Sequence, residues 1–153
     1  KINNVLFDEE TLKPLVVIDL DTVMPGLVGQ DFGDAIRFAA NNADEDCADL
    51  AKVSLNPDVF RAFAEGFLSR TAPMLTGTEI ETLGVSCFAL TCELSTRFLT
   101  DYLDGDVYFK VKRAGHNLMR ARAQIALAKD MQRHLPEMTD ACIAAAKTYR
   151  GEM

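Results

Sequence analysis

The sequence predicts a mainly helical domain that opens with one small β-hairpin. Two short apolar runs near the start of the chain are separated by a polar segment that ends in proline. Beyond residue 33, apolar residues recur at spacings of three and four, which is typical of amphipathic helices. The chain has 153 residues, enough for a core of its own, so we expect one domain over residues 1–153.

The hairpin prediction places strands near residues 4–7 and 15–18, with a polar turn at 8–14. Asp19 and Asp21 directly follow the second strand, and a loop rich in glycine and proline continues to Gly33. Because the two ends of a hairpin lie side by side, we expect Asn4 and Asp19 to face one site.

Helical patterns follow one another through the rest of the chain. Asp34 is the expected cap of the first helix, and Pro136 is expected to break the fourth. The predicted helices cover residues 34–41, 56–72, 78–103, 116–135 and 139–149.

The long third helix carries an arginine where an apolar residue is expected. Its predicted buried stripe consists of Ile80, Leu83, Cys87, Leu90 and Leu94. The next position of this stripe is Arg97. A buried guanidinium needs an acidic partner or a polar ligand, so both a core salt bridge and a binding site are open here. Arg37 and Arg113 are expected to be solvated at the surface.

The net charge of −7 argues against nucleic acid as the main partner, since phosphate backbones require clustered basic residues. No run of transmembrane length or signal peptide is evident, so we expect a cytoplasmic protein that does not enter a membrane. The four cysteines match no zinc-binding pattern. The first residues look like mid-domain sequence, which indicates a fragment.

An amide oxygen beside a carboxylate is the kind of hard-oxygen ligation that suits Mg²⁺. Asn4 and Asp19 are therefore candidate metal ligands. The alternative is that they are ordinary turn and strand-end residues, which are common in such places.

A second interpretation concerns residues 16–22, an apolar strand followed by Asp19, Leu20, Asp21 and Thr22. This resembles the first motif of haloacid-dehalogenase-type phosphatases, in which Asp19 would be the nucleophile and Asp21 the general acid and base. That fold requires parallel strands alternating with helices, and no strand is evident after Gly33.

The order Asn3-Asn4-Val5-Leu6-Phe7, hairpin, Val17-Ile18-Asp19 resembles the core of the aminoglycoside phosphotransferase and choline kinase-like family. Further stretches resemble its N-acetylhexosamine kinase branch, so that the resemblance spans about residues 1–138. These stretches are residues 19–26, 33–37, 97–109, 116–118 and 120–122, and the most specific of them is 97–109.

The resemblance implies the C-terminal lobe of a kinase-like fold and an enzyme that phosphorylates the anomeric hydroxyl of an N-acetylhexosamine with ATP and Mg²⁺. Asn4 and Asp19 would hold Mg²⁺, and Arg97 and Tyr108 would bind the sugar. Asp21 would approach the metal or order the loop to Gly33.

The family's catalytic aspartate would lie two residues before Lys1, and its nucleotide-binding lobe would precede that residue in the same parent chain. We therefore expect this fragment to be inactive and to expose a wall of the cleft. A non-catalytic helical interaction domain is the further alternative. It predicts that Asn4 and Asp19 lie apart and that Arg97 is locked in a salt bridge. The kinase interpretation predicts instead that Arg97 and Tyr108 open onto the same cleft as Asn4 and Asp19.

Overall fold

The computed structural model describes residues 4–21 and 23–151, and over these ranges the chain is mainly helical with one two-stranded antiparallel sheet. Strand β1 (Val5–Phe7) pairs with β2 (Pro14–Val17). The predicted hairpin is confirmed. Asn3 and Thr22, which belong to the motifs above, lie outside the described residues.

The main helices are α1 (Val28–Ala39), α2 (Pro57–Thr71), α3 (Gly77–Leu103) and α4 (His116–Arg150). Single turns of 3₁₀ helix occur at Leu50–Lys52 and Ala72–Met74. The two long helices pack along each other, with α1 against α3 and α2 against α4. Within the described ranges, no helix has both the length and the apolar character needed to cross a bilayer.

The predicted starts of α2 and α3 are confirmed, and their caps show why. The Asn56 side chain accepts hydrogen bonds from the N–H groups of Asp58 and Val59. Thr76 and Glu79 form a reciprocal capping box at the start of α3. Both signals are local in the sequence, so the helix starts can be predicted from it.

The predicted start of α1 was wrong, because the helix begins at Val28 and not at Asp34. The segment looked like a loop because it contains Gly29 and Gly33. These glycines instead lie where α1 meets α3: a Cβ atom at Gly33 would stand 2.8 Å from the carbonyl oxygen of Ser86. They are needed for close helix packing.

The predicted break at Pro136 was also wrong, because α4 continues through it to Arg150. Proline removes one helical hydrogen bond, to the carbonyl group of Gln132, and both residues are exposed, so water can reach that carbonyl group. Just beyond, Met138 and Thr139 pack closely on Gly84 of α3, where an added Cβ atom would be 3.2 Å from that of Met138. This packing against α3 therefore stabilises the helix beyond the proline.

The core lies between the four helices, and it includes Phe32, Phe60, Leu68, Leu83, Leu127 and Met131. Phe32 from α1 contacts three rings of α2, at centroid distances of 6.1 Å to Phe60, 5.7 Å to Phe63 and 5.1 Å to Phe67. Phe60 is thus part of the core, and Phe63 and Phe67 are partly buried against it.

Candidate functional site

The open end of the hairpin brings together two of the predicted site residues. Val5 lies opposite Val17, and the N–H of Ile18 donates to the carbonyl oxygen of Asn4 at 2.8 Å. Pairing therefore extends one step beyond the strands. The Asn4 Nδ2 atom donates to Asp19 Oδ2 at 2.9 Å, so the side chains meet as the hairpin length predicted.

The donor set of this pair fits a hard cation. The hydrogen bond uses the amide N–H of Asn4, and among the described residues no other group bonds to Asn4 Oδ1 or Asp19 Oδ1. An amide oxygen and a carboxylate oxygen are ligands that Mg²⁺ accepts, with water and substrate phosphates completing its shell. In the described part of the chain, no cluster of three or more acidic, histidine or cysteine side chains has the form of a metal site. The open end of the hairpin therefore supplies two candidate protein ligands, Asn4 and Asp19.

Asp19 also has an uncommon backbone conformation, with φ at 62°. Left-handed backbone in a residue other than glycine is unusual, although aspartate tolerates it better than most residues, and such positions occur often at functional sites. Asp21 is exposed two residues further on. Its predicted place near the metal or in loop ordering stays a prediction.

The other two predicted residues meet in a cavity of ≈ 470 Å³ between α1, α3, α4 and the α3–α4 loop. The guanidinium carbon of Arg97 lies 5.7 Å from the ring centroid of Tyr108 and 5.4 Å from that of Phe109. The volume falls within the ~300–1,000 Å³ typical of small-molecule sites. Asn4 and Asp19 are not among the described residues that line this cavity, so it does not confirm the prediction that the four residues open onto one cleft.

The predicted burial of Arg97 was wrong. Its side chain is 47% exposed, and its ion pair with Glu93 is long, at 4.0 Å. The stripe that is buried in this half of α3 runs through Thr91, Ser95, Phe98 and Asp101. Leu90 and Leu94 resembled core residues, but they line the cavity beside Arg97. The pattern misled because an apolar cavity wall and a core face have the same spacing.

The expectation for Arg37 was also wrong, because this side chain is only 6% exposed. Its guanidinium group forms ion pairs of 2.9 Å with both Asp34 and Glu45. Glu45 also lies 3.6 Å from Arg120, so its ion pairs link Arg37 of α1 to Arg120 of α4 in the lining of the cavity. Glu45 and Arg120 were missed because the residues that meet here are far apart in the sequence.

Neighbouring Asp46 anchors the same segment to the start of α4. It accepts a 3.0 Å hydrogen bond from Arg113 and lies 2.9 Å from Nε2 of the buried His116. The hydrogen bond from Arg113 lowers the pKa of Asp46, burial opposes this, and the contact with His116 adds to the lowering. Arg113 is thus partly exposed but paired. The His116 Nδ1 atom accepts from the Lys112 N–H, so both ring nitrogens have structural partners.

The comparison with protein families was negative: no family model matches this chain.

Proposed function

We propose that this chain carries the metal-binding and substrate-binding part of an ATP- and Mg²⁺-dependent phosphotransferase of the aminoglycoside phosphotransferase and choline kinase-like class. The observation that carries the proposal is the meeting of Asn4 and Asp19 at the open end of the hairpin. In kinases of this kind, an asparagine and an aspartate hold the metal on the nucleotide phosphates. The hairpin arrangement supports the same roles for Asn4 and Asp19.

Within that class we propose an N-acetylhexosamine as the substrate, phosphorylated at its anomeric hydroxyl group. The cavity around Arg97 combines rings and aliphatic side chains with charged groups of both signs. Rings pack against the C–H faces of a sugar, and guanidinium and carboxylate groups bind its hydroxyl and amide groups. Tyr108 and Arg97, side by side on one wall, are the proposed sugar-binding residues.

In the proposed reaction the sugar hydroxyl oxygen attacks the γ-phosphorus of ATP. The bond from that phosphorus to the β,γ-bridging oxygen breaks, and ADP leaves. The hydroxyl proton passes to an aspartate general base, which the family resemblance places five residues before Asn4. When bound, Mg²⁺ supplies charge neutralisation on the phosphates. Asn4 and Asp19 hold its position, and Arg97 and Tyr108 orient the sugar.

Exposed apolar side chains support the proposal that a nucleotide-binding lobe of the same protein covers this end. Leu15, Val17, Leu20 and Val23 of the hairpin and the following loop are all exposed. Contiguous apolar surface of this kind marks interaction sites. We propose a cytoplasmic location, as for other enzymes that use ATP and sugars.

The phosphatase alternative is not favoured, because Asp19 follows a strand of an antiparallel hairpin and the described residues contain no parallel sheet. The interaction-domain alternative requires Asn4 and Asp19 to be apart and Arg97 to be locked in an ion pair. Their 2.9 Å hydrogen bond and the long Arg97–Glu93 contact favour the kinase proposal instead.

The test is an ADP-release assay on the longer parent protein with ATP, Mg²⁺ and a panel of hexoses, N-acetylhexosamines, choline and aminoglycosides. We expect turnover on an N-acetylhexosamine, and we expect Asp19→Asn to reduce kcat at least ~100-fold because charge stabilisation is lost. Arg97→Gln should raise KM for the sugar about tenfold with a smaller change in kcat, because it removes ground-state binding.

Arg61→Gln is the matched control, because Arg61 is a similarly exposed arginine that pairs with Asp58 on α2. It should leave both kinetic constants unchanged. Turnover on choline or an aminoglycoside alone would keep the phosphotransferase and refute the sugar. No ATP-dependent turnover by folded parent protein on any of these substrates would refute the proposal.

A further inference from the structure

The loop between α3 and α4, residues 104–115, forms one wall of the cavity through Tyr108, Phe109 and Lys110. It contains neither helix nor strand, and three of its residues have positive φ: Gly105 at 93°, Asp106 at 61° and Gly115 at 69°. A loop without backbone ladders needs side-chain hydrogen bonds to hold one conformation.

Asp101, in the last turn of α3, supplies the first of these bonds. Its side chain is only 4% exposed. Asp101 Oδ1 accepts from the N–H of Tyr108 at 2.7 Å, and Oδ2 accepts from the N–H of Phe109 at 2.9 Å. A buried carboxylate that binds two successive N–H groups fixes both the position and the direction of that backbone.

Asn117, in the first turn of α4, completes the network and is fully buried. Its Nδ2 group donates to Asp101 Oδ2 at 2.8 Å and to Asp106 Oδ1 at 2.9 Å. Its Oδ1 atom accepts from Arg120, which also donates to the carbonyl oxygen of Lys110. The network thus holds the loop at Asp106, Tyr108, Phe109 and Lys110.

The same network places the rings against the cavity. Phe109 lies 4.7 Å from Phe98, measured between centroids, and 4.8 Å from Tyr108. Arg120 stacks over the other side of this cluster, 5.2 Å from the Phe98 centroid. The network is not needed to end α3, because carbonyl groups in its last turn already accept hydrogen bonds from the N–H groups of Asp104 and Gly105.

We infer that Asp101 and Asn117 are positioning residues, which hold Tyr108 and Phe109 so that they and Arg97 form a preorganised wall for the sugar. The inference rests on the proposed function, since it takes the sugar as the ligand of this cavity. It adds that selectivity depends on two buried residues behind the wall that do not touch the ligand.

The test uses the 153-residue chain and N-acetylglucosamine as the probe. Affinity is measured by NMR titration, and hydrogen exchange is followed at the amides of Tyr108 and Phe109. Asp101→Asn should weaken binding at least about tenfold and remove protection at both amides, because hydrogen bonds to a buried charge are lost. Asp104→Asn makes the same charge change at the exposed end of α3 and should behave as wild type.

A double-mutant cycle separates positioning from general stability. If Asp101 acts through the ring of Tyr108, Asp101→Asn should weaken binding by less than about twofold once Tyr108→Ala is present. Equal weakening in both backgrounds would overturn the inference, as would unchanged affinity in Asp101→Asn when the wild type binds. A wild-type chain that binds no N-acetylglucosamine would overturn this sugar as the ligand of the cavity, and the inference with it, whereas the phosphotransferase proposal is decided separately by the ADP-release assay.

If Asp101→Asn does not fold, Asp106→Gly provides the same test more gently, because it removes one acceptor of the Asn117 amide at a half-buried position and glycine tolerates the positive φ there. We expect weaker protection at Tyr108 and about threefold weaker binding, as for the loss of one hydrogen bond. Unchanged protection and affinity in this variant would overturn the inference.

Discussion

The hairpin segment, residues 4–21 and 23–27, and the helical body, residues 28–150, differ in how much apolar surface they bury. The body buries Phe32, Leu83 and Leu127 completely between its helices. In the hairpin segment, apolar side chains such as Leu15 and Val17 are more than half exposed. An isolated two-stranded hairpin is marginally stable in water. The helical body therefore contains most of the buried apolar core, and the hairpin places Asn4 beside Asp19.

The largest expected difference between the two regions is in the energy of an apolar truncation. Phe32→Ala should lower the free energy of unfolding by about 3–5 kcal/mol, because it leaves a cavity among the α2 rings. Leu15→Ala should cost less than about 0.5 kcal/mol, because its side chain is already in water. Urea denaturation followed by circular dichroism measures both values. Similar losses would show that the hairpin packs against the body more than we describe.

A smaller effect is expected where α1 meets α3. Gly33→Ala should destabilise the protein by about 1–3 kcal/mol, because the new Cβ atom would stand 2.8 Å from the Ser86 carbonyl oxygen. Gly66→Ala is the control: nothing lies within 4 Å of its Cβ position on α2, so we expect stabilisation of about 0.5–1 kcal/mol. A neutral Gly33→Ala would contradict the close contact of the two helices.

The smallest effect belongs to the hairpin turn and depends on pH. The hydrogen bond from the Thr11 N–H is the main cause that lowers the pKa of Asp8 below its ordinary value of 3.8, and the Thr11 hydroxyl group adds to it. Because the folded pKa is the lower one, this stabilisation is complete above pH 3.8 and is lost as the pH falls through the folded value.

Relative to the intrinsic exchange rate at each pH, hydrogen exchange at the amides of Glu10 and Thr11 should therefore become faster in acid, while the amides of the core helices keep their protection. Asp8→Asn should show this faster exchange already at pH 7. If acid left the turn amides protected in the wild type, the turn would not depend on the Asp8 carboxylate.

The parts of the fold that depend on local signals could be predicted from the sequence. The β-branched runs predicted the hairpin, and the cap residue Asn56 predicted the start of α2. What failed depends on residues distant in the chain. Gly33 suggested a loop, but it lies in α1 and packs closely against Ser86 of α3. Pro136 suggested a helix break, but α4 continues and packs on Gly84 of α3.

The candidate site divides in the same way. Asn4 and Asp19 could be paired from the hairpin length alone, because strand pairing fixes which residues meet. Arg97 was proposed as a sugar-binding residue from the family resemblance; its predicted burial on the α3 stripe was wrong, because it lies exposed on a cavity wall. The ion pairs of Glu45 with Arg37 and Arg120 had no local signal, since only the tertiary fold brings the three residues together.

The most direct test of the role assigned to the hairpin is a Mn²⁺ titration of this chain, followed in ¹H–¹⁵N spectra, since Mn²⁺ accepts the same oxygen ligands as Mg²⁺. At substoichiometric metal, the amides of Asn4, Ile18 and Leu20 should broaden first. In Asp19→Asn this broadening should disappear, while any broadening near the acidic residues 44–49 persists. Broadening that is unchanged in Asp19→Asn, or confined to residues 44–49, would contradict a metal site at the open end of the hairpin.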